Sequence, residues 1–274
     1  MKHSLKALVA ACALALSLPV LAQDKIKVQW FGQAAFKITT PTGKVIVIDP
    51  WITSNPRTPE ALRKLEAVGP KVDLVLTTHA HFDHMADAPA LVKLHNAPFW
   101  GPAGMAQSMV FLGLTPPELT NRMNKGGTIR PFGPDGVKIT MTYAEHSSEL
   151  SWKNPATNKD EVHIGGEACG FIIELENGFK IWHLGDTGLY GDMKFLAERH
   201  KIDLLLVPIG GGQFVMNPED AAYATRDLIK PKAVIPMHYA ANRFLVGTPE
   251  QFGKAMGNSA VKLLTVKEGE TVEF

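Results

Sequence analysis

Cysteine is nearly absent: the 274 residues contain two, Cys12 and Cys169. That scarcity excludes a disulfide framework and a zinc site built on four thiolates. Any metal must be held by histidine and carboxylate. A charge surplus is lacking too, with 28 Lys and Arg against 27 Asp and Glu. No local run of basic residues stands out, so the electrostatic footprint of a nucleic-acid binder is missing. Nor does any apolar run reach the roughly 20 residues that a membrane-spanning helix needs. No internal repeat or low-complexity stretch is visible.

The longest apolar run lies at the start. Lys2 and Lys6 precede an apolar stretch from Ala7 to Leu18, and Pro19-Val20-Leu21-Ala22 closes it. A charged start, an apolar middle and small closing residues describe a secretory signal peptide over residues 1–22, cleaved after Ala22. Val9-Ala10-Ala11-Cys12 resembles a lipidation box, but the apolar region continues past Cys12, where a lipidated cysteine would end it. The expected setting is therefore periplasmic or secreted, without stable membrane insertion once the signal is removed. Losing Lys2 and Lys6 would leave the two charge signs within one of each other. Only Cys169 would remain, with no internal partner.

Histidine, by contrast, is concentrated. Three of the ten histidines fall in Thr77-Thr78-His79-Ala80-His81-Phe82-Asp83-His84, directly after the apolar run Val72-Asp73-Leu74-Val75-Leu76. Such a run reads as a buried strand, and the polar crowd behind it as a site on the following loop. His79 and His81 are two apart, so in extended geometry they face the same way. Paired imidazoles suit a borderline-soft divalent metal, at about 2.0–2.1 Å from each nitrogen. Asp83 and His84 follow in a turn and offer ligands for a second ion. His146, Asp186 and His238 each sit just past a later apolar strand, where loops from one sheet edge converge.

The remaining pattern alternates strands and helices. Strands are expected at 25–30, 35–39, 45–48, 72–76, 98–100, 137–143, 170–175, 179–184, 203–207, 232–236, 262–264 and 270–273. A helix is expected from Thr58 or Glu60 through Glu66. Others cover 86–95, with Leu91, Val92 and Leu94 facing inward, and 193–200, 218–229 and 248–256. Residues 101–127, broken by glycine and proline, suggest only one amphipathic helix carrying Met105, Met109, Val110 and Phe111. The polar stretch 147–167 reads as an exposed loop or lid. Two sheets between helices follow, as one α/β domain over residues 23–274.

These blocks resemble a known family. His79-Ala80-His81-Phe82-Asp83-His84 is similar to the His-x-His-x-Asp-His signature of the metallo-β-lactamase superfamily. Further similar blocks are Ile48-Asp49-Pro50, Ala144-Glu145-His146-Ser147, His183-Leu184-Gly185-Asp186-Thr187-Gly188, Val207-Pro208-Ile209-Gly210-Gly211 and Ile235-Pro236-Met237-His238-Tyr239. Together they resemble the branch of metal-dependent hydrolases that includes ascorbate-6-phosphate lactonase. The resemblance implies an αββα sandwich, with two mixed sheets flanked by helices. It also implies a dinuclear site: His79, His81 and His146 on one ion, Asp83, His84 and His238 on the other, and Asp186 bridging. Two departures stand out. Val215 occupies a position where that branch commonly has threonine, and most members lack a signal peptide.

A histidine and aspartate set of this size suits zinc, though manganese or iron can occupy it. The expected chemistry is hydrolysis of a small ester, lactone or phosphodiester by a water activated between two divalent ions. Asp83 would orient that nucleophile as well as bind metal, and Tyr239 could donate to an oxyanion. Asp49 either orients a ligand histidine or caps its loop. His183 reads as structural or supporting, and Gly210-Gly211-Gly212 would let backbone approach a ligand closely. Cys169 reads as a core residue, and His95, His163 and His200 as surface residues. A β-lactamase or thioesterase using the same site, or a non-catalytic metal-dependent binding protein, are the competing readings.

Overall fold

Alternation shapes the first half of the chain. The computed structural model describes residues 25–274; the signal peptide expected over 1–22 lies outside the described residues. Strands β1 (Lys27–Gly32), β2 (Ala35–Thr39), β3 (Val45–Ile48), β4 (Leu74–Leu76), β5 (Phe99–Pro102) and β6 (Thr120–Met123) follow one another in a mixed sheet. Side chains project to opposite faces at successive positions. Trp30, Phe36, Ile38, Ile46, Ile48, Leu74 and Leu76 thus enter a core shared with the second half of the chain. Phe31, Ala35, Val47 and Val75 enter a separate core with residues of the neighbouring helices.

The second half repeats the plan. Strands β7 (Thr128–Ile129), β8 (Lys138–Tyr143), β11 (Cys169–Glu174), β12 (Lys180–His183), β13 (Leu204–Pro208), β14 (Ala233–Met237) and β15 (Lys262–Leu263) form the other sheet, and β9 (Glu149–Lys153) pairs with β10 (Asp160–Ile164) apart from it. The last strand, β16 (Thr271–Glu273), returns to pair with β1. Among the described residues each large sheet has seven strands. Each is antiparallel at one end and parallel at the other, so both are mixed. Helices α1 (Phe82–Met85), α2 (Ala88–His95) and α3 (Ala103–Phe111) belong to the first half, and α4 (Asp192–His200), α5 (Pro218–Tyr223) and α6 (Pro249–Met256) to the second. This is the expected arrangement of two mixed sheets flanked by helices. Among the described residues, no helix is long and apolar enough to cross a membrane.

Local chemistry accounts for several boundaries. Asn217 accepts from Asp220 N at 2.8 Å and Pro218 occupies the first turn of α5, the pairing expected at a helix start. A wider π turn continues α5 through Ile229. Thr248 and Gln251 form a reciprocal capping box on α6.

Four expectations need correction. The helix expected over 60–66 is two short 3₁₀ turns, Glu60–Leu62 and Leu65–Val68. Arg63 donates to the Thr58 and Pro56 carbonyls, which ties the first turn back to the loop. The helix expected over 86–95 begins two residues later, at Ala88, after a turn in which the Asp87 carboxylate accepts from Ile52 N and Thr53 N. Leu94 there is 52% exposed and does not face inward. In 103–111, Met105 and Met109 are buried while Phe111 points outward, and β6 beyond it was not expected. Finally, 147–167 is mostly a β-hairpin, because Leu150 is buried and Trp152 packs beside it on the core under α2 and α3.

Candidate metal centre

The site lies beyond the C-terminal ends of strands from both sheets. Behind β4 come His79, His81, Asp83 and His84; behind β8, His146; behind β12, Asp186; behind β14, His238. Loops at this end of an open sheet are where ligands gather. Potential donor atoms of His79, His81 and His146 lie within 4.8 Å of one another, as do those of Asp83, His84 and His238. Asp186 stands between the groups. Its Oδ1 is 3.3 Å from His84 Nε2, and its Oδ2 is 2.9 Å from His238 Nε2 and 3.7 Å from His146 Nε2.

Three of the histidines, His84, His81 and His238, have a polar neighbour outside the ligand set. Asp49 Oδ2 accepts from His84 Nδ1 at 2.8 Å and from Thr78 Oγ1 at 2.7 Å, while its Oδ1 accepts from Thr78 N at 2.7 Å. Asp49 therefore orients His84 and also pins the loop behind β4. Glu149 Oε2 lies 3.1 Å from His81 Nε2 and accepts from Ser147 Oγ at 3.0 Å. With Nε2–H committed to Glu149, the His81 Nδ1 lone pair faces His79 Nε2 (3.0 Å) and His146 Nε2 (3.3 Å). Gln33 Nε2 donates to Asp83 Oδ2 at 2.9 Å and sits 2.7 Å from His238 Nε2.

Backbone strain gathers at the same place. Gln33, Asp49, His238 and Ala240 all have φ between 48° and 57°, a region that non-glycine residues seldom occupy. Such conformations cost on the order of 1–3 kcal/mol each and persist where surroundings over-determine them. His238 N donates to Gln33 O at 3.1 Å, coupling two of the four.

Electrostatics and unmet hydrogen bonds favour a cation here. Burial works against the Asp186 and Asp83 carboxylates, yet the surrounding histidines hold both below the usual range. His84 Nε2, Asp186 Oδ1 and His238 Nδ1 are buried without a hydrogen-bond partner, which is costly unless something else meets them. A divalent ion would meet the first two, and the hard and borderline donors present suit it.

The other residues singled out by sequence fall differently. Tyr239 turns away from the cleft, packs its ring 5.5 Å from Trp30 and belongs to the inter-sheet core; burial pushes its hydroxyl up to about 12. The bend at His238 and Ala240 sends these neighbours in opposite directions, so the expected oxyanion donor is not brought to the site. His183 is structural: its Nε2 donates to Ala34 O at 2.9 Å and its Nδ1 accepts from Gly185 N. A Cβ on Gly210 would strike the His238 carbonyl and one on Gly212 the Phe244 carbonyl. Those glycines accommodate backbone, not ligand. Cys169 is buried, with Sγ 3.1 Å from Thr78 O, and burial raises its pKa. His95, His163 and His200 are partly exposed, and none joins the cluster.

Comparison with known proteins now decides the family. Residues 44–239 match the beta-lactamase superfamily domain. A UPF0173 metal-dependent hydrolase of Cupriavidus metallidurans is 56% identical over 254 residues, covering 92% of this chain and 87% of the relative. The chain belongs to the metallo-β-lactamase superfamily. It is a metal-dependent hydrolase, similar also to a Rubrobacter xylanophilus relative at 41% identity over 82% of this chain and 86% of that one. Among solved structures it resembles Igni18, a metallo hydrolase from Ignicoccus hospitalis, with a TM-score of 0.74, 31% identity, and coverage of 92% and 99%.

Several residues of the hydrolase's site escaped the sequence reading. Gln33 lies in the tight turn between β1 and β2, where an amide reads as a turn residue. Glu149 and Ser151 lie on the hairpin that its polar composition disguised. Beside the candidate ligands, a cleft of about 220 Å³ is lined by Phe82, Glu149, Ser151, Phe214, Asn242 and Leu245. Alternating Leu150 and Trp152 were the available signal for the hairpin; Gln33 offered none.

Two tests arise here. Glu149→Gln is expected to weaken metal affinity about tenfold, in line with other partners of ligand histidines, while the exposed position leaves the melting temperature unchanged. Competition with a chromophoric chelator measures the first, and thermal melting the second. The metal-stripped hydrolase should be most stable near pH 6.5. Burial lowers His79 and His146, so stability falls as pH drops below the ordinary histidine value. Burial also opposes the charge on His238, but Asp186 and Asp83 outweigh it and raise the pKa to about 9. That contribution is complete below about pH 6.5 and lost as pH rises through about 9. Melting of chelator-treated protein across pH 5–9.5 should give a maximum; a profile flat throughout would contradict it.

Proposed function

We propose that the protein is a dinuclear hydrolase that cleaves a small ester, lactone or phosphodiester, with zinc as the resident ion. The observation that carries this reading is the pair of three-residue groups joined by one buried carboxylate, Asp186. His79, His81 and His146 would hold one ion, Asp83, His84 and His238 the other, and Asp186 would touch both. When bound, the two ions would supply Lewis-acid polarisation of the scissile group and bring the pKa of a water toward 7.

The protein's own residues supply order. Asp83, held by Gln33 and kept ionised by its histidine neighbours, remains an acceptor at neutral pH and orients the attacking water. Asp49 and Glu149 fix the rings of His84 and His81, so the donors need little reorganisation. No serine or cysteine nucleophile is needed, and buried Cys169 is unsuited to the part. The sequence blocks that resemble a branch including a lactonase support a lactone as one of the candidate substrates, and the signal-like start at residues 1–22 supports a periplasmic or secreted setting.

Metal-replete protein should be screened against lactones, carboxylic esters, thioesters, β-lactams and phosphodiesters. Turnover of a lactone, ester or phosphodiester that chelation abolishes and added zinc restores is the expected result. Turnover confined to β-lactams or thioesters, or none in any class, would overturn the proposal.

A further inference from the structure

The walls of the cleft differ in chemistry from its floor. Phe82 is 66% exposed and Phe214 42% exposed, and both line the cleft beside the candidate ligands, where aromatic walls with a few placed polar groups are the usual lining of a small-molecule site. Both rings are preset. Phe82 stands edge-on to Trp51 at 5.4 Å, and Phe214 edge-on to Phe244 at 6.1 Å. Leu245 completes the apolar lining, while Asn242 and Ser151 offer neutral hydrogen-bonding groups. Rings fixed before binding lose little freedom when a ligand covers them.

Away from the candidate metal ligands, the described residues of the cleft offer nothing that would hold a phosphate. Among the described residues, no lysine or arginine lines the cleft, and its non-ligand charge is the carboxylate of Glu149. Phosphate groups are held by arginine forks, lysines or helix N-termini. The cation on the loop after β14, Arg243, lies over the Phe244 ring at 4.8 Å and is outside the lining. A phosphorylated arm would therefore meet aromatic faces and a carboxylate. The cleft volume, below the roughly 300 Å³ at the low end of drug-sized pockets, admits a small molecule.

We infer that the substrate is an uncharged small lactone or ester with an apolar arm lying between Phe82 and Phe214, and that it carries no phosphate handle. This rests on the hydrolase reading above. One water is consumed: its oxygen bonds to the acyl carbon, the acyl C–O bond breaks, and the released alkoxide takes a proton. A lactone leaves as a single hydroxy acid, and an open-chain ester as an acid and an alcohol.

The test uses metal-replete protein and two five-membered lactones that differ only at the end of an alkyl arm, methyl in one and phosphate in the other. The methyl-ended lactone should be favoured in kcat/KM by about tenfold or more, the range one apolar contact supplies. Phe82→Ala and Phe214→Ala should raise its KM by a similar factor with little change in kcat. Neither should alter turnover of the phosphate-ended lactone, and Phe111→Ser, remote on α3, should change neither. Calorimetric titration with the matching unreactive cyclopentanones gives a readout independent of turnover. If neither lactone reacts but the methyl-ended ketone binds better, and more weakly to Phe214→Ala, the hydrolase reading fails while the arm specificity stands. Preference for the phosphate-ended member, an unchanged KM in both phenylalanine variants, or no binding of either ketone would overturn the inference.

Discussion

Asp186→Asn is expected to cut activity of the metal-replete protein more than a hundredfold and to lower bound metal from two equivalents toward one or none. Loss of a group that merely supports a ligand costs about 10–100-fold in affinity or activity, and Asp186 faces both ligand groups directly. Asparagine preserves volume, so the change isolates charge. In metal-stripped protein the same substitution removes the carboxylate that sustains charge on His84 and His238. Breaking a buried ion pair from one side costs about 3–5 kcal/mol. The variant should therefore melt well below wild type after chelation. Parallel metal analysis, kinetics and melting check all three effects; wild-type metal content with wild-type activity would contradict them.

Asp49→Ala should damage fold and site together. The carboxylate is fully buried and satisfies Thr78 N, Thr78 Oγ1 and His84 Nδ1 at once. Alanine would leave a buried backbone N–H unpaired, at about 1–3 kcal/mol. It would also free a histidine from its orienting partner. The left-handed φ of 48° is tolerated better by Asp or Asn than by Ala. A combined loss of about 3–5 kcal/mol is a large share of the ~5–15 kcal/mol that holds a typical domain together. Asp49→Asn keeps an acceptor for Thr78 N and the backbone tolerance, so it should fold yet bind metal about tenfold more weakly. An alanine variant melting within a degree or two of wild type, or an asparagine variant with undiminished affinity, would show that Asp49 lacks this role.

The strands were legible because they are two-sided. Val45–Ile48 and Leu74–Leu76 are buried on both faces and so appear as unbroken apolar runs, and each is followed by a residue of the site. The dense His-x-His-x-Asp-His block stood out for the same reason, since solvated loops rarely collect four such side chains. Other contributions leave weaker marks. Gln33 is brought to Asp83 and His238 by a turn conformation and a pairing some 200 positions apart. Glu149 belongs to a hairpin whose outer residues, such as Val162 at 71% exposed, gave no sign of which side was inward. Tyr239 misled because adjacency to His238 in sequence says nothing about direction when both flanking residues have positive φ. Short polar elements draw their order from distant partners, and a single chain read in sequence order does not display those partners.

The central claim is that seven side chains from four strand ends form one two-metal site. Elemental analysis of purified, zinc-replenished protein tests it most directly, alongside His79→Ala combined with His84→Ala. Two equivalents in wild type and almost none in the double variant are expected, because that pair removes a donor from each group. Wild-type protein that binds no metal, or a double variant that keeps both ions, would contradict the account.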